Sequence, residues 1–297
     1  MNMLVWKWKV LQKRIYVLLF SKKVNLIGDE KYTKQMYRII FGRKLDVEHP
    51  KTYNEHLSVN KLKLDASLYA PFADKYAVRE YVEKTIGRQY LNEVLGVYHS
   101  FDEINFDQLP DAFALKCTHG SSFNLIVPDK EKLDKRKAKV KFDKWMKTNY
   151  YYPMREKQYR DIVPRIMCDA YLATEDNSPL NEVKLYCIGG KVRFIMDNYE
   201  KDGIRYSNVY DRSWNRLNVT YGFPGNDKIE KPATSSELVV IAEKLAGEFP
   251  FVRVDLYNVE GKILFSELTF CPAGGMTPMN PDTFDYEMGK YFEEGQV

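Results

Sequence analysis

The sequence predicts an α+β fold in which antiparallel hairpins and separate helices share one chain. Residues 182–197 and 249–270 each contain two apolar, strand-like runs joined by a short turn that includes glycine, a pattern typical of β-hairpins. Residues 74–87, 131–149 and 234–247 are predicted helices, the last with a capping box of Thr234 and Glu237. The order of these elements does not fit a doubly wound parallel sheet.

Shorter elements are predicted between these segments. Residues 31–65 mix helical spacing with turn signals, and residues 90–98, 111–119 and 164–172 have the composition of strands. A further short strand follows the small-residue turn within residues 118–127. No linker rich in Pro, Gly or Ser divides the chain, so its parts are expected to pack together.

Composition limits the classes of function. The 297 residues are 44% hydrophobic, which allows a sizeable core in one domain or in two to three lobes. A net charge of +4 gives no support to nucleic-acid binding. The four cysteines match no zinc-ligand spacing, which indicates reduced thiols in a cytoplasmic protein, and the four scattered histidines do not suggest a metal site.

Residues 1–30 are predicted to contain a basic amphipathic helix. The longest unbroken apolar run, residues 15–20, is too short for a membrane span or for a signal-peptide core. On a helix, one apolar stripe forms from Leu4, Trp8, Leu11, Ile15, Leu18 and Leu19. The helix either packs on the domain or lies, as a basic helix with a tryptophan, on an anionic membrane surface, and both interpretations stay open.

The hairpin at residues 249–270 carries charged residues inside its apolar pattern. Because side chains alternate along a strand, Arg253 and Asp255 share one face, and so do Glu267 and Thr269. Two carboxylates placed together repel each other, and a bound Mg²⁺ ion removes the repulsion with the oxygen ligands that it prefers. The alternative is a plain cross-strand pair between an arginine and a carboxylate.

The register of this hairpin depends on its turn. A three-residue turn at residues 259–261, with Gly261 in the left-handed conformation, would pair Asn258 with Lys262. Arg253 would then lie opposite Glu267, and Asp255 would lie diagonally from it, with ~7–8 Å between backbone positions.

A second candidate site begins at Lys116, which closes an apolar strand before the turn THGSS. Small residues let backbone amides approach phosphate oxygens, and a lysine at the strand end adds a positive charge. The spacing is not that of a Walker loop, and an ordinary turn remains the alternative. Lys75, in DKYAVREYV, would by itself be a surface lysine of a helix.

Taken in order, these pieces resemble the ATP-grasp ligases, such as the D-alanine–D-alanine ligases. The motifs PKTYNE, DKYAVREYV, LKCTHGSS, PRIMCDAYL, YCIGGK and FVRVDLY…FSELTFCPAGG are most similar to the TupA-like branch, over roughly residues 38–290. That branch is associated with teichuronopeptide and other bacterial surface polysaccharides. The resemblance implies an ATP-grasp fold: two α+β lobes that grip ATP, with an N-terminal helical extension. The resemblance implies four segments: residues 1–30 form that helix, and residues 31–110 form an N-terminal region that precedes the ATP-grasp lobes. Residues 111–172 form the small lobe, and residues 173–297 form the large lobe with the Mg²⁺-binding hairpin.

The resemblance also implies nucleotide-binding roles by position. Lys75 and Lys116 would contact the phosphates of ATP, beneath a loop containing Thr118, Gly120, Ser121 and Ser122. The hinge along the adenine would be Asp169, Ala170, Tyr171 and Leu172. Glu182 would bind the ribose, and Lys184 stands where the branch keeps a lysine. Ser122 departs from the family pattern, which often has glycine at this position.

The remaining implied roles concern metal and chemistry. Arg253 would act with Lys116 on the transferring phosphate, and the Mg²⁺ ligands would be Asp255, Glu267 and Thr269, the last replacing the asparagine of many ligases. Gly274 and Gly275 match a glycine loop near the acyl acceptor.

The resemblance implies a ligase that uses ATP and Mg²⁺ to join an amino acid or amine to a carboxylate through an acyl phosphate. The carboxylate is expected on a uronic acid of a surface glycan or of its lipid-linked precursor. The basic helix would suit cytoplasmic work at the inner-membrane surface, and no nucleic-acid partner is expected.

Two other functions stay open. One is a glycosyltransferase of capsule synthesis, although its usual D-x-D motif is absent from the chain. The other is a non-catalytic nucleotide-binding protein of the same pathway, against which the retained carboxylates and lysines argue.

Overall fold

The computed structural model describes residues 3–174, 180–201, 203–226 and 231–294. The helices in these ranges are α1 (Met3–Phe20), α2 (Asp29–Phe41), α3 (Tyr53–Lys63), α4 (Ala66–Ala73), α5 (Val78–Ile86), α6 (Lys135–Met146), α7 (Tyr151–Met154), α8 (Ser235–Ala246) and α9 (Thr283–Glu294). The strands are β1 (Val94–Tyr98), β2 (Phe113–Cys117), β3 (Asn124–Val127), β4 (Ile166–Ala170), β5 (Glu182–Ile188), β6 (Lys191–Lys201), β7 (Ile204–Tyr210), β8 (Thr220–Tyr221), β9 (Phe251–Val259), β10 (Lys262–Thr269) and β11 (Met279–Asn280). The predicted α+β class is therefore confirmed.

A four-stranded antiparallel sheet forms the smaller lobe, in the order β1-β4-β2-β3. Its core is apolar and packs beneath α6, with Phe113, Leu115, Phe142 and Ile166 all inaccessible to solvent. Because β1 is an edge strand of this sheet, the sheet reaches back to residue 94, ahead of the residue 111 at which the small lobe was expected to begin.

A five-stranded antiparallel sheet forms the larger lobe, in the order β10-β9-β5-β6-β7. Alternation along β9 divides its side chains between two environments. Val252, Val254 and Leu256 pack against α8 and α5, whereas Phe251 lies on the opposite face, in a core shared with α3 and α9. The charged residues of β9 share the face of Phe251, so they lie in a covered position between elements.

Helix α1 packs on the protein through a face that the sequence pattern did not single out. Tyr16, Val17 and Phe20 contact the apolar cluster of α2, and the Lys9 ammonium donates a 2.9 Å hydrogen bond to the Ile40 carbonyl oxygen. The predicted stripe is exposed instead, from Trp8 to Leu19; its first member, Leu4, lies outside the described side chains. The interpretation that the helix packs on the domain is therefore confirmed, but the packing face is that of Tyr16, Val17 and Phe20 and not the predicted stripe. No helix among the described residues has the length and apolar character needed to cross a membrane.

The predicted capping box at α8 is also wrong. Thr234 precedes the helix with φ −79° and ψ 3°, a nearly helical conformation, and its side chain makes no capping hydrogen bond. A capping box occurs at α3 instead, where Thr52 and Glu55 each bond the other's backbone amide, at 3.2 and 3.1 Å.

We predict that Asp197 makes the stability of the fold depend on pH. This β6 residue is 1% exposed, and burial raises the pKa of its carboxyl to about 6, although Asn181 opposes the shift. Because the pKa is higher in the folded state than in the unfolded state, the charged carboxylate destabilises the fold above pH 6. This penalty disappears as the pH falls below the unfolded value of roughly 3.9.

Asp197→Asn should therefore raise the free energy of unfolding by about 1–3 kcal/mol at pH 8 and by much less at pH 4.5, as measured by urea unfolding. The exposed Asp107→Asn serves as the control and should show no such difference. An equal gain from Asp197→Asn at both pH values would contradict this account.

Candidate active site

The turn between β9 and β10 contains two residues, and the predicted three-residue turn is wrong. Glu260 and Gly261 both have positive φ, at 53° and 86°, as a type I′ turn requires. Val259 consequently pairs with Lys262, and Asn258 pairs with Ile263 instead of Lys262. The tighter turn matches the right-handed twist of the two strands.

A β-bulge then sets the register at the charged residues. The pairing shifts between Phe265 and Glu267, so Ser266 is the additional residue in β10. Beyond the bulge Asp255 lies directly opposite Glu267, and Arg253 lies opposite Thr269. The predicted pairs differ from these, because neither the two-residue turn nor the bulge was recognised. Without the bulge Ser266 would face Asp255, and Glu267 would lie on the other side of the sheet.

The side chain of Arg253 joins the polar groups on this face of the hairpin. Its Nε and Nη2 atoms donate to the two oxygens of Asp255, each at 2.6 Å. The same Nη2 lies 3.2 Å from Glu267 Oε1 and 3.0 Å from the Thr269 hydroxyl. Asp255 is completely inaccessible to solvent, so the bidentate pair compensates for the loss of its hydration. The structure thus brings the four hairpin residues into one cluster.

Lys184 on β5 adds a second cation to the same cluster. Its Nζ lies 3.0 Å from Asp255 Oδ2 and 2.7 Å from Glu182 Oε2. Glu182 also accepts a 3.1 Å hydrogen bond from the hydroxyl of Ser266, the bulge residue. The neighbouring strands β5 and β10 are therefore coupled to β9 through side chains as well as through the sheet.

Lys75, between α4 and α5, connects the hairpin to the turn that follows β2. Its ammonium lies 2.9 Å from Glu267 Oε2 and donates a 3.0 Å hydrogen bond to the Gly120 carbonyl oxygen. Its backbone amide donates to the Thr118 carbonyl oxygen at 3.1 Å. The Thr118 hydroxyl in turn lies 3.2 Å from Asp74 Oδ2. This side chain, which was expected to belong to the phosphate-binding loop, is therefore buried and bonded to Asp74.

Ser122 adopts a backbone conformation that favours glycine. Its φ is +62°, in the left-handed region, where a side chain adds strain. Ser122 therefore replaces the often-found glycine at a position where glycine would adopt the same backbone conformation without strain. The serine consequently restricts the motion of this turn relative to glycine.

Lys116 and Asp169 face each other on adjacent strands of the smaller sheet. The Lys116 Nζ lies 2.8 Å from Asp169 Oδ2, and Asp169 is 3% exposed. Ala170, the next residue of the predicted hinge, donates its backbone amide to the Glu93 carbonyl oxygen at 2.9 Å. Its carbonyl oxygen accepts a 2.8 Å bond from the Asn92 amide, so both backbone groups of Ala170 are already engaged.

A cleft of about 440 Å³ lies between the two sheets, and we name it the inter-sheet cleft. Nine of the predicted site residues line it: Lys75, Lys116, Ser121, Ser122, Asp169, Leu172, Glu182, Lys184 and Glu267. Six others are not among the lining residues: Thr118, Gly120, Ala170, Tyr171, Arg253 and Asp255. Thr269 is likewise absent from the lining but reaches the cluster through Arg253.

Sequence reasoning missed six polar residues that line this cleft: Arg79, Asn92, Asn124, Arg205, Tyr257 and Ser266. Alternation along β9 gave a usable signal for Tyr257, because this residue shares the face of Arg253 and Asp255. Arg79 is fixed by a 2.6 Å hydrogen bond to the Asn92 carbonyl oxygen, a contact between α5 and the segment before β1 that no local pattern predicts.

Most charges around the cleft lie in pairs, while Arg79 and Arg205 add two positive charges to its lining. Four cations, Lys75, Lys116, Lys184 and Arg253, face four carboxylates, Asp169, Glu182, Asp255 and Glu267. Burial opposes ionisation of Glu267, but the charges of Lys75 and Arg253 outweigh it and hold its pKa well below the usual range. Burial likewise opposes the charge of Lys116, and Asp169 outweighs it, so the pKa of Lys116 is raised.

The predicted metal ligands fit a hard divalent cation by donor type. Two carboxylates and a hydroxyl offer only oxygen atoms, and Glu267 reaches the inter-sheet cleft directly. Both oxygens of Asp255 are engaged by Arg253, so direct ligation would require the exchange of one of these contacts. Among the described residues no group of three His, Cys, Asp or Glu side chains could hold a metal ion. An ion here would therefore need ligands from water or from a bound substrate.

A second cleft of about 410 Å³ adjoins the first, and we name it the tyrosine cleft after Tyr186, Tyr199 and Tyr221 in its lining. Glu182, Lys184 and Arg205 line both clefts, and Arg253 lines the second. The two clefts thus meet at the charged cluster. Pro272 and Ala273 supply part of the wall of the tyrosine cleft, directly after β10.

The turn at residues 272–275 holds the predicted glycine loop in an unusual backbone conformation. Ala273, Gly274 and Gly275 have consecutive positive φ values of 50°, 66° and 71°. A Cβ atom on Gly275 would lie 3.0 Å from the Ser58 hydroxyl oxygen, so the loop packs closely on α3. Lys61 of the same helix, only 2% exposed, donates a 2.9 Å hydrogen bond to the Gly274 carbonyl oxygen. A buried ammonium therefore holds this loop from behind.

Comparisons with known proteins match the chain to one family profile and to several solved structures of low sequence identity. The profile described as TupA-like ATPgrasp matches residues 55–293. The D-alanine–D-alanine ligase of Helicobacter pylori is similar at 12% identity and a TM-score of 0.45, covering 82% of this chain and 69% of that chain. VanG D-Ala:D-Ser ligase of Enterococcus faecalis is similar at 15% identity and a TM-score of 0.47, covering 78% of this chain and 63% of that chain. No curated protein matches the chain.

The profile match extends over most of the chain and includes the charged cluster, both clefts and the glycine loop. The family match confirms the predicted ATP-grasp fold and the prediction of an ATP-grasp enzyme. The chain belongs to the TupA-like ATP-grasp family.

Proposed function

We propose that this protein is an ATP- and Mg²⁺-dependent carboxylate–amine ligase. The observation that carries the proposal is the junction of the two clefts at Arg253, Lys184 and Glu182. One cleft offers paired lysines and carboxylates suited to a metal-bound triphosphate, and the other offers room for an acceptor. A phosphoryl group held at the junction would therefore be in reach of a carboxylate in the tyrosine cleft.

ATP would lie in the inter-sheet cleft, with its phosphates near Lys75 and Lys116. Glu267 and Asp255 would hold Mg²⁺, with Thr269 nearby, and the ion would neutralise part of the phosphate charge. An acceptor carboxylate oxygen would attack the γ-phosphorus, and the bond to the bridging oxygen would break, releasing ADP. The amine nitrogen would then attack the acyl carbon and lose a proton, and phosphate would leave with the bonding electrons.

The chain's own contribution to this reaction is positioning and charge. Arg253 is fixed by Asp255, Glu267 and Thr269, so its guanidinium needs little reorganisation as charge develops on the transferring group. Lys75 binds both Glu267 and the Gly120 carbonyl oxygen, which couples the turn after β2 to the metal-binding carboxylate. Closure of that turn would exclude water from a hydrolysable acyl phosphate.

The acceptor is proposed to be a uronic acid of a bacterial surface polysaccharide or of its precursor, and the amine a small amino acid or amine. The lining of the tyrosine cleft supports a sugar acid, because aromatic side chains can cover a sugar ring and arginines can bind its carboxylate. Four buried free thiols support a cytoplasmic location.

We predict that Glu267→Gln and Asp255→Asn each lower the rate of substrate-dependent ADP release by at least about a hundredfold. The measurement uses ATP, Mg²⁺, a uronic acid and a panel of amino acids. The control variant is Glu260→Gln, in the turn of the same hairpin, which should retain the rate. Each variant's thermal midpoint is recorded, because removal of one carboxylate leaves Arg253 partly uncompensated.

Undiminished ADP release by folded Glu267→Gln and Asp255→Asn would remove the hairpin from the mechanism. Binding of a nucleotide-sugar but not of ATP would favour a glycosyltransferase instead. ATP binding without turnover on any acceptor would favour a non-catalytic nucleotide-binding protein.

We predict separately that Lys61 positions the acceptor side of the site. Lys61→Met removes the ammonium beneath Gly274 and should lower the free energy of unfolding by about 1–3 kcal/mol. It should also raise the KM for the acceptor severalfold while the dissociation constant of ADP stays within about twofold, because the loop borders the tyrosine cleft alone. Exposed Lys63→Met on the same helix is the control. A matching loss of ADP affinity would contradict this role.

A further inference from the structure

Helix α1 has two apolar faces, and the fold uses one of them. The inward face supplies Tyr16, Val17 and Phe20 to the cluster around α2, and Arg155 donates to the Phe20 carbonyl oxygen at 3.3 Å. Tyr16 also contacts the ring of Tyr32, with 5.0 Å between the ring centroids. The helix is therefore attached to the protein by packing that leaves its opposite face free to contact something else.

The outward face of α1 is apolar and exposed. Trp8, Leu11, Ile15, Leu18 and Leu19 are between 45% and 83% exposed, and Leu26 beyond the helix is 77% exposed. At 3.6 residues per turn the five helical members lie within about 100° of arc. Within the described part of the chain, these six belong to a set of fifteen exposed large hydrophobic residues. Residues 8–26 therefore carry a concentrated patch and not a scatter of single apolar side chains.

The charge of this segment is uniform in sign. Residues 1–28 contain six basic residues, Lys7, Lys9, Lys13, Arg14, Lys22 and Lys23, and no acidic residue. Arg14, Lys22 and Lys23 are exposed beside the apolar patch. Exposed apolar side chains flanked by cations are suited to an anionic lipid surface, because the apolar side chains can contact the acyl chains while the cations contact the negative headgroups.

We propose that the outward face of α1 binds an anionic lipid surface and places the acceptor site beside that surface. The occupant is a lipid bilayer and not a protein, because a protein groove that accepts this face would have to match both an apolar stripe and an uninterrupted positive charge. Burial of Trp8, Leu11 and Leu18 in the interface would supply the apolar part of the binding, and the exposed basic residues would supply its dependence on headgroup charge.

A groove connects this helix to the tyrosine cleft. It has a volume of about 640 Å³ and is lined by Lys9, Arg43, Gly222 and Thr277, among others. Gly222 and Thr277 also line the tyrosine cleft, so the two spaces are continuous along the protein surface. Lys9 lies one residue after Trp8 and about 100° around the helix from it, on the side that faces the protein, so the groove opens beside the outward face. An acceptor carried by a lipid could therefore extend from the membrane face to Arg253, an extension that rests on the proposed function.

The test is sedimentation of the full chain with vesicles, without ATP or acceptor. Vesicles of phosphatidylcholine with about 30% phosphatidylglycerol should bind the protein, whereas vesicles of phosphatidylcholine alone should bind it at least tenfold less. Addition of 0.5 M salt should weaken the binding severalfold, since exposed charges are screened. Fluorescence of Trp8 should shift to shorter wavelength on binding.

Leu11→Glu with Leu18→Glu should reduce binding to the anionic vesicles at least tenfold. The matched control is Val140→Glu, because Val140 is 71% exposed on α6, a helix rich in lysine. This control should bind as the unaltered chain does. Should the double leucine variant fail to fold, Lys22→Glu with Lys23→Glu tests the electrostatic half and should also lower binding at least tenfold.

Several results would overturn the proposal: no binding to anionic vesicles, equal binding to neutral vesicles, or an equal loss in Val140→Glu. A dimer in lipid-free solution that the leucine variant converts to monomer would assign the face to self-association instead. Ligase turnover with a water-soluble uronic acid should be unchanged in the leucine variant. A failure of lipid binding is therefore distinguishable from a failure of the proposed ligase activity.

Discussion

The guanidinium of Arg253 organises the charged centre of this protein. It contacts both carboxylates and the hydroxyl that project from β9 and β10, and its two bonds to Asp255 are each 2.6 Å long. This arrangement requires Glu267 to face the same side of the sheet as Arg253, which only the bulge at Ser266 provides. One additional residue in β10 therefore determines whether the hairpin can form the cluster at all.

The cluster has a consequence for ligand binding, because its four cations are already matched by four carboxylates. A nucleoside triphosphate brings about four negative charges, which Arg79 and Arg205, the two further cations of the cleft, offset only in part. Divalent cations entering with the phosphates would neutralise the remaining negative charge. Ligation by Asp255 would exchange one of its two bonds to Arg253, and the other contacts would keep the guanidinium in place. Metal and nucleotide are thus expected to bind as one unit, and under the proposed function an acceptor would approach the same arginine from the tyrosine cleft.

Sequence patterns predicted the α+β class, the strands of the large hairpin and the residues that meet on its charged face, because alternation along a strand depends on local order. The cross-strand pairs could not be predicted, since they depend on the turn type and on a β-bulge, and no residue in FSELT indicates a bulge. The apolar stripe of α1 was recognised in the sequence, but the face that packs on the protein was not. Tyr16 and Phe20 belong to a second apolar face of the helix, and the sequence does not show which of the two faces packs. Lys61 was missed for a similar reason: its partner Gly274 is 213 residues away in the chain.

The most direct test of this account is the affinity of the protein for a non-hydrolysable ATP analogue, measured by calorimetry with Mg²⁺ and then with excess chelator. Because Lys75, Lys116, Lys184 and Arg253 are each paired with a carboxylate, we expect affinity at least about tenfold higher with the metal ion, a difference of about 1.4 kcal/mol or more. Equal affinity in the two conditions would show that the cluster around Arg253 does not receive a metal-bound triphosphate, and the central claim would then be wrong.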